Sequence, residues 1–135
     1  MSDLNGKTCP FCGEGHLNLS TKDKEYNYQG HTLLIPQPGI YCDVCEEAIL
    51  EPSHLKATRV DLQEFRARID GIVGPRAIRK IRKQIGLNQQ EAALLLGGGK
   101  NAFSRYEQGE LSPPKAVSQL LKLFDKHPEL VKELN

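Results

Sequence analysis

The sequence has few of the features that mark membrane, secreted or disordered proteins. It contains no tryptophan, one methionine and no apolar run near the roughly 18 residues that a membrane span requires. Its first residues lack the basic and apolar regions of a signal peptide. With 39% hydrophobic and 26% charged residues among 135, the composition is that of one ordinary globular domain or two small ones. The sequence therefore predicts a cytoplasmic protein.

Motifs of common enzymes are also missing from the sequence. There is no H-E-x-x-H helix and no Ser/His/Asp order, and Gly97-Gly98-Gly99 lacks the Lys-Ser/Thr ending of a P-loop. A CxxC oxidoreductase and a zinc hydrolase remain as enzyme alternatives. A non-enzymatic protein is favoured over both.

Charge and cysteine are distributed unevenly along the chain. The overall net charge is +1, but residues 1–70 carry −4 and residues 71–135 carry +5, and all four cysteines precede residue 46. Two differently charged halves indicate two different partners. The Gly- and Pro-containing segment 71–75 is the expected hinge. The sequence thus predicts an N-terminal domain over residues 1–70, a linker over 71–75 and a C-terminal domain over 76–135.

The first half reads as a β-ribbon followed by a helix. Alternating apolar residues predict strands between about residues 15 and 42, with Gln29-Gly30 as a hairpin turn. The segment from Pro36 to Gly39 is expected to interrupt the second strand. A helix is then predicted from a cap at Ser53 to about Asp70.

The second half reads as a bundle of short helices. A basic helix ends at Gly86, Asn88 and Glu91 form a capping box for the next helix, and a third runs from about residue 100 to 108 with Gly109 as its stop. A fourth helix is expected to open at Ser112-Pro113, and Pro128 opens a short fifth. The predicted fold class is therefore an α+β multidomain protein with an all-α C-terminal bundle.

The cysteines form two CxxC knuckles, Cys9/Cys12 and Cys42/Cys45, separated by 29 residues. Four thiolates at tetrahedral corners are typical of a closed structural zinc site, whereas catalytic zinc keeps an open position. Disulfides are disfavoured in the cytoplasm, and a redox CxxC is disfavoured by the absence of a surrounding βαβ pattern. The four histidines have no metal-ligand spacing. One structural Zn²⁺ per chain is the leading interpretation.

The predicted third helix has a polar face that suits a DNA groove. With Phe103 and Tyr106 facing inward, Asn101, Ser104, Arg105 and Gln108 share the opposite face at i, i+3, i+4 and i+7. Asn pairs with adenine and Arg with guanine, so Asn101 and Arg105 are the predicted base readers.

Further residues are predicted to contact phosphates, which fix register without reading sequence. They are Gln89, Ser104 and Lys100. Residues 75–105 hold seven basic side chains against one acid, a balance that favours a polyanion. The alternative is a solvated polar face on a structural bundle.

The order of these motifs resembles two known families. Residues 75–125, with Gly86-Leu87-Asn88-Gln89 and the run from Ser104 to Gly109, resemble the phage Cro-like (XRE) helix-turn-helix. Together with the four-cysteine ribbon and the run from Gly97 to Glu107, nearly the whole chain resembles the MqsA (YgiT-type) antitoxins of bacterial toxin-antitoxin pairs.

The resemblance implies functions that the spacing does not give. In that family the N-terminal domain binds zinc and a small MqsR-type mRNA-cleaving ribonuclease toxin, and the C-terminal domain dimerises and binds a palindrome in its own promoter. The family's zinc cysteines and base-reading Asn and Arg fall on the residues named above. Toxin-contact residues stay unknown. A stand-alone zinc-containing repressor without a toxin is the alternative.

Overall fold

The computed structural model describes residues 3–134, which form two compact units. The first ends at Thr58 and the second begins at Arg59, both of them within one helix, α1, which spans Pro52–Asp70. The fold class is α+β, with a three-stranded antiparallel sheet followed by helices, as the sequence predicts. The predicted hinge at residues 71–75 stays a prediction.

The first unit is built on one long β-hairpin. Strand β1 spans Leu17–Tyr28 and β2 spans His31–Cys42, and they pair antiparallel from Leu17 opposite Cys42 to Tyr28 opposite His31. Gln29 and Gly30 have φ of 46° and 81°, which is the left-handed pair of a two-residue turn matched to the strand twist. The predicted hairpin is confirmed.

The predicted break between Pro36 and Gly39 is wrong, because β2 continues to Cys42 in unbroken register with β1. Strand β3, Ala48–Ile49, pairs only with Ile40 and Tyr41. Within the described residues, the edge of β2 away from β1 is therefore unpaired at Pro36 and Pro38. A proline nitrogen, which has no hydrogen to donate, is tolerated on such an edge.

The first unit has a small apolar core joined to a polar network. The Gln37 amide donates to the carbonyl oxygens of Pro38 and His54 and accepts from the Thr58 hydroxyl, so it links β2 to the start of α1. The helix starts at Pro52, and His54 Nδ1 accepts from the N–H of Glu51. Ser53 is thus inside the first turn rather than the predicted cap. The buried core cluster consists of Cys9, Leu17, Ile40 and Cys42.

The second unit contains helices α2 to α5 and a terminal 3-10 helix. Their bounds are Pro75–Gln84, Gln89–Leu96, Ala102–Glu107, Lys115–Lys126 and Pro128–Leu134. The buried core comprises Val73, Ile78, Ile81, Ala92, Ala93, Leu96, Ala102, Phe103, Tyr106, Val117, Leu121 and Phe124. Within residues 3–134 the structure has no helix with the length and hydropathy of a membrane span.

The start of α5 differs from the prediction, since the helix begins at Lys115 and not at Pro113. Pro114 disfavours helical geometry at the residue before it, so the helix does not begin at Pro113. The Ser112 hydroxyl accepts a hydrogen bond from the Gln63 amide and caps no helix.

Helices α2 and α4 end in the same motif. Gly86 and Gly109 have φ of 75° and 78°, and in each case the glycine and the next residue donate their N–H groups back to the last turn. These are paired 5→2 and 6→1 hydrogen bonds, which close a helix C-terminus. The predicted capping box at the start of α3 is confirmed, with Asn88 and Glu91 bonded reciprocally.

Candidate metal centre and nucleic-acid interface

The two CxxC segments bring their four sulfur atoms together. All four lie within 4.8 Å of one another, and Cys9 Sγ to Cys45 Sγ and Cys12 Sγ to Cys42 Sγ each measure 3.7 Å. All four thiols are free. A tetrahedron with zinc–sulfur bonds of about 2.3 Å has sulfur–sulfur edges of about 3.8 Å. The cluster therefore fits one tetrahedral ion.

The surrounding backbone stabilises thiolates in this cluster. Gly15 donates its N–H to Cys12 Sγ at 3.4 Å, and Val44 and Cys45 donate theirs to Cys42 Sγ at 3.3 Å. The N–H groups of Gly15 and Glu14 lower the pKa of Cys12 to about 6. Hydrogen bonds to the charged form of a thiol have this effect because they favour it.

The pKa of Cys45 is shifted in the opposite direction, because the other three sulfur atoms lie close to it. A backbone hydrogen bond from Glu47 lowers its pKa, but burial and the three neighbouring cysteines raise it to about 12. Four thiolates cannot be held this close without a counter-ion, because like charges disfavour ionisation. A bound divalent cation supplies that charge.

The knuckles are shaped by two glycines and an aspartate. Gly13, the residue after Cys12, has φ of 72°, and a side chain at Gly15 would collide with Cys42 Sγ. Asp43 Oδ1 accepts from the N–H of His16 at 2.9 Å. This hydrogen bond fixes the second knuckle against the start of β1.

Helix α4 exposes the polar face that the sequence predicts. Phe103 and Tyr106 are 0% and 1% exposed and pack edge to face with ring centroids 5.2 Å apart, while the Arg105 side chain is 53% exposed. Asn101 is exposed, and within residues 3–134 its side chain makes no hydrogen bond that caps α4. Its amide is therefore not committed to the helix end.

The predicted phosphate contacts lie at or near the same face. Lys100 is exposed at the turn before α4, and Ser104 is half-buried and accepts from the Gln108 amide at 3.1 Å. Gln89, at the first position of α3, donates to Glu107 Oε1 at 3.3 Å. Gln89 is thus connected to α4 through that carboxylate.

Arg82 is one of the seven basic side chains of residues 75–105, but it is buried and structural. It forms a two-pronged ion pair with Glu107 at 2.7 and 2.9 Å, and a third bond to the carbonyl of Leu87 at 3.0 Å. The Glu107 hydrogen bond raises the pKa of Arg82 above its ordinary value. The sequence offers one signal for the burial of Arg82. It lies one residue after Ile81, next to the apolar face that α2 forms with Ile78 and Ile81.

The other basic side chains of α2 are exposed. Arg76 is bonded to Asp61 at 2.6 Å although its side chain is 63% exposed. Arg79, Lys80 and Lys83 are exposed as well. The helical unit thus keeps a positively charged surface after its internal ion pairs are counted.

Sequence reasoning missed Glu110, which contacts Arg105, and Arg59, which contacts Glu110. Glu110 Oε2 lies 3.7 Å from Arg105 Nε, and Glu110 Oε1 lies 3.4 Å from Arg59 Nη2. Arg59 also donates Nε to the carbonyl of Gln108 at 3.2 Å. Arg59 belongs to α1, 46 positions before Arg105 in the numbering, so the helical pattern of α4 contains no signal for it.

Comparison with known proteins agrees with this combination of a four-cysteine ribbon and a helical unit. Residues 7–135 match the family described as the antitoxin component of a bacterial toxin-antitoxin system, MqsA. The chain is 41% identical over 128 residues to antitoxin MqsA of Escherichia coli strain K12, covering 93% of this chain and 98% of that protein. A solved structure of the N-terminal domain of E. coli MqsA aligns with a TM-score of 0.42 and 29% identity, over 47% of this chain and 97% of that one.

The family match and the 41% identical relative cover both units, and the relative is matched over nearly its whole length. They confirm the resemblance that the motifs indicate, and with it a non-enzymatic protein that has a cognate toxin as its partner. The chain belongs to the MqsA family of bacterial antitoxins.

Proposed function

We propose that this antitoxin holds one structural Zn²⁺ through Cys9, Cys12, Cys42 and Cys45. With that ion bound, its N-terminal part neutralises an MqsR-type mRNA-cleaving ribonuclease. Its C-terminal helix-turn-helix represses its own operon as a dimer on a palindromic promoter site. Family membership and the exposed polar face of α4 are the observations that carry the proposal.

The zinc assignment is supported by the sulfur geometry and by the size of the core. Four buried residues form the apolar cluster of the first unit, and a domain this small is marginal without a cross-link or a metal. Structural zinc contributes about 10–16 kcal/mol of apparent binding energy in small zinc peptides. The ion supplies cross-linking of the two knuckles and no reaction chemistry. The protein's own contribution is the pair of turns that aim the sulfurs inward.

The toxin partner is assigned to the acidic half of the chain. Residues 1–70 carry a net charge of −4, and four thiolates with one dication take this to about −6. A basic ribonuclease would be steered towards such a surface. No individual toxin-contact residue is assigned.

The DNA partner is assigned to the helical unit. Asn101 and Arg105 would read adenine and guanine in the major groove, and Gln89, Ser104 and Lys100 would bind phosphates. A two-fold dimer that docks both α4 helices on one side of the duplex requires half-sites about one helical turn apart, or a multiple of it.

Base readout is tested by comparing Arg105→Ala with Lys100→Ala as a matched control. Binding of the zinc-loaded chain is measured on a duplex from its own promoter and on a shuffled duplex. Arg105→Ala should lower the preference for the promoter by roughly 5- to 140-fold, which corresponds to the 1–3 kcal/mol of one base contact. Lys100→Ala should weaken binding to both duplexes alike and reduce the salt dependence. Equal loss on both duplexes for Arg105→Ala would refute base reading.

Toxin neutralisation is tested by co-expression with the neighbouring gene. Growth should be restored by the wild-type chain and by Arg105→Ala, but not by Cys12→Ser. The two variants separate the metal site from the DNA face. A harmless neighbour that does not bind the chain would leave the alternative, a zinc-containing repressor without a toxin.

A further inference from the structure

The loop after α4 places a carboxylate against the proposed base reader. Glu110 follows Gly109, whose positive φ turns the chain back, and the N–H of Glu110 donates to the carbonyl of Arg105 at 2.9 Å. This 6→1 bond belongs to the backbone motif that ends the helix, so the proximity of the two residues is fixed by main-chain geometry. An apolar contact commonly joins these two positions, whereas here the pair is Arg and Glu.

A second arginine holds the same carboxylate from the other side. Arg59 Nη2 lies 3.4 Å from Glu110 Oε1, and Arg59 Nε donates to the Gln108 carbonyl at 3.2 Å. The backbone of α1 also packs closely here, because a Cβ on Gly109 would lie 2.9 Å from the carbonyl oxygen of Arg59. Glu110 thus pairs with two arginines, the exposed Arg105 and Arg59, which is anchored by its bond to the Gln108 carbonyl. Its side chain and that of Arg59 are each 34% exposed, against 53% for Arg105.

We propose that Glu110 is a specificity-determining residue, which orients the Arg105 guanidinium for guanine and limits its attraction to phosphates. The inference rests on the proposed base-reading role of Arg105. Nε of Arg105 is the nitrogen nearest Glu110, at 3.7 Å, which leaves Nη1 and Nη2 to face guanine O6 and N7 as a fork. A long side chain that is already oriented loses less rotamer freedom on binding.

The charge of Glu110 acts on selectivity in a second way. A carboxylate beside Arg105 partly neutralises the guanidinium, so chance contacts of this side chain with the DNA backbone become weaker. Arg59 compensates the carboxylate, which limits the cost to overall binding. Sequence preference is a difference between two affinities, so it increases when non-specific binding is weakened.

The test is Glu110→Gln in the full zinc-loaded chain, measured on the promoter duplex and on a shuffled duplex of equal composition. The ratio of the two affinities should fall by roughly 1.5- to 5-fold, the range corresponding to an exposed ion pair. Binding to the shuffled duplex should stay equal or become stronger. Glu129→Gln is the matched control, since it removes one exposed carboxylate that pairs with His127, and it should leave the ratio unchanged.

A double-mutant cycle separates positioning from a structural effect. In the Arg105→Ala background, Glu110→Gln should no longer alter the ratio, whereas a loosened helix end would lower it in both backgrounds. An unchanged or raised ratio in the Glu110→Gln single variant, or an equal fall in both backgrounds, would overturn the inference. Should Arg105→Ala itself leave the ratio unchanged, the proposed base reading fails instead, so the two failures are distinguishable.

Discussion

Replacing Glu107 by Gln should strongly destabilise the helical unit, because it leaves a buried guanidinium without its counter-ion. The Arg82 and Glu107 side chains are 10% and 6% exposed and share bonds of 2.7 and 2.9 Å. Glutamine has nearly the same shape and keeps one oxygen as an acceptor, so the change removes charge and one acceptor with little change in volume. The Gln89 amide also loses the carboxylate to which it donates.

The expected magnitude follows from the burial of the pair. Removing one partner of a buried ion pair costs about 3–5 kcal/mol, and a domain of this class has about 5–15 kcal/mol of stability in total. Asp61→Asn is the matched control, because Asp61 and its partner Arg76 have side chains that are 51% and 63% exposed. An exposed pair contributes about 0–1 kcal/mol. Replacing both buried partners, as Arg82→Met with Glu107→Leu, should recover most of the loss.

The assay is urea unfolding followed by circular dichroism at 222 nm, with zinc held at a constant saturating level. The linear extrapolation gives the free energy of unfolding for each variant. Glu107→Gln should lower it several-fold more than Asp61→Asn. Losses of similar size below about 1 kcal/mol for both variants would refute the reasoning, because the Arg82–Glu107 pair would then behave as a surface pair.

Three further results are expected. Removing zinc with a chelator should abolish the β-sheet signal of the first unit before the helices melt, because metal binding contributes most of the folding energy of that unit. Simultaneous loss of the sheet and helix signals would contradict two separately stabilised units. Gly109→Ala should lower the stability of the protein more than Gly86→Ala does. Both glycines have φ near 77°, but only at Gly109 would a Cβ meet the backbone of Arg59, at 2.9 Å. Equal urea midpoints for the two variants would exclude that contact. Asn88→Ala should cost about 0.5–2 kcal/mol of stability through loss of the capping box at α3, and a change below about 0.3 kcal/mol would show that α3 is held by packing alone.

Local rules predicted the elements whose signals are contiguous in sequence. The hairpin turn at Gln29-Gly30, the capping box at Asn88 and the glycine stop at Gly109 each depend on neighbouring residues, and each is confirmed. The CxxC spacing likewise predicted the four-sulfur cluster, because two knuckles that each aim two thiols at one point need no further information.

The errors arose where tertiary context overrides a local rule. Pro36 reads as a strand breaker, but among residues 3–134 no strand pairs with that edge of β2. Ser112 reads as a cap, but Pro114 prevents the helix from starting at the next residue. Arg82 reads as a surface base, but its carboxylate partner is 25 positions away and no periodicity indicates it.

The Arg59–Glu110–Arg105 cluster was beyond sequence reasoning for a similar reason. Glu110 could have been placed near Arg105 from the glycine stop of α4, since the motif that ends the helix brings these two positions together. The approach of Arg59 depends on how α1 packs in the helical unit, and that packing has no short-range signature.

The most direct test of the central claim is a structure of the zinc-loaded chain bound to its promoter DNA. The account predicts one ion at the centre of the four sulfurs. It also predicts that the Asn101 amide and the Arg105 guanidinium lie within hydrogen-bonding distance of base edges in the major groove. Base edges contacted by another element, with α4 facing solvent, would contradict it.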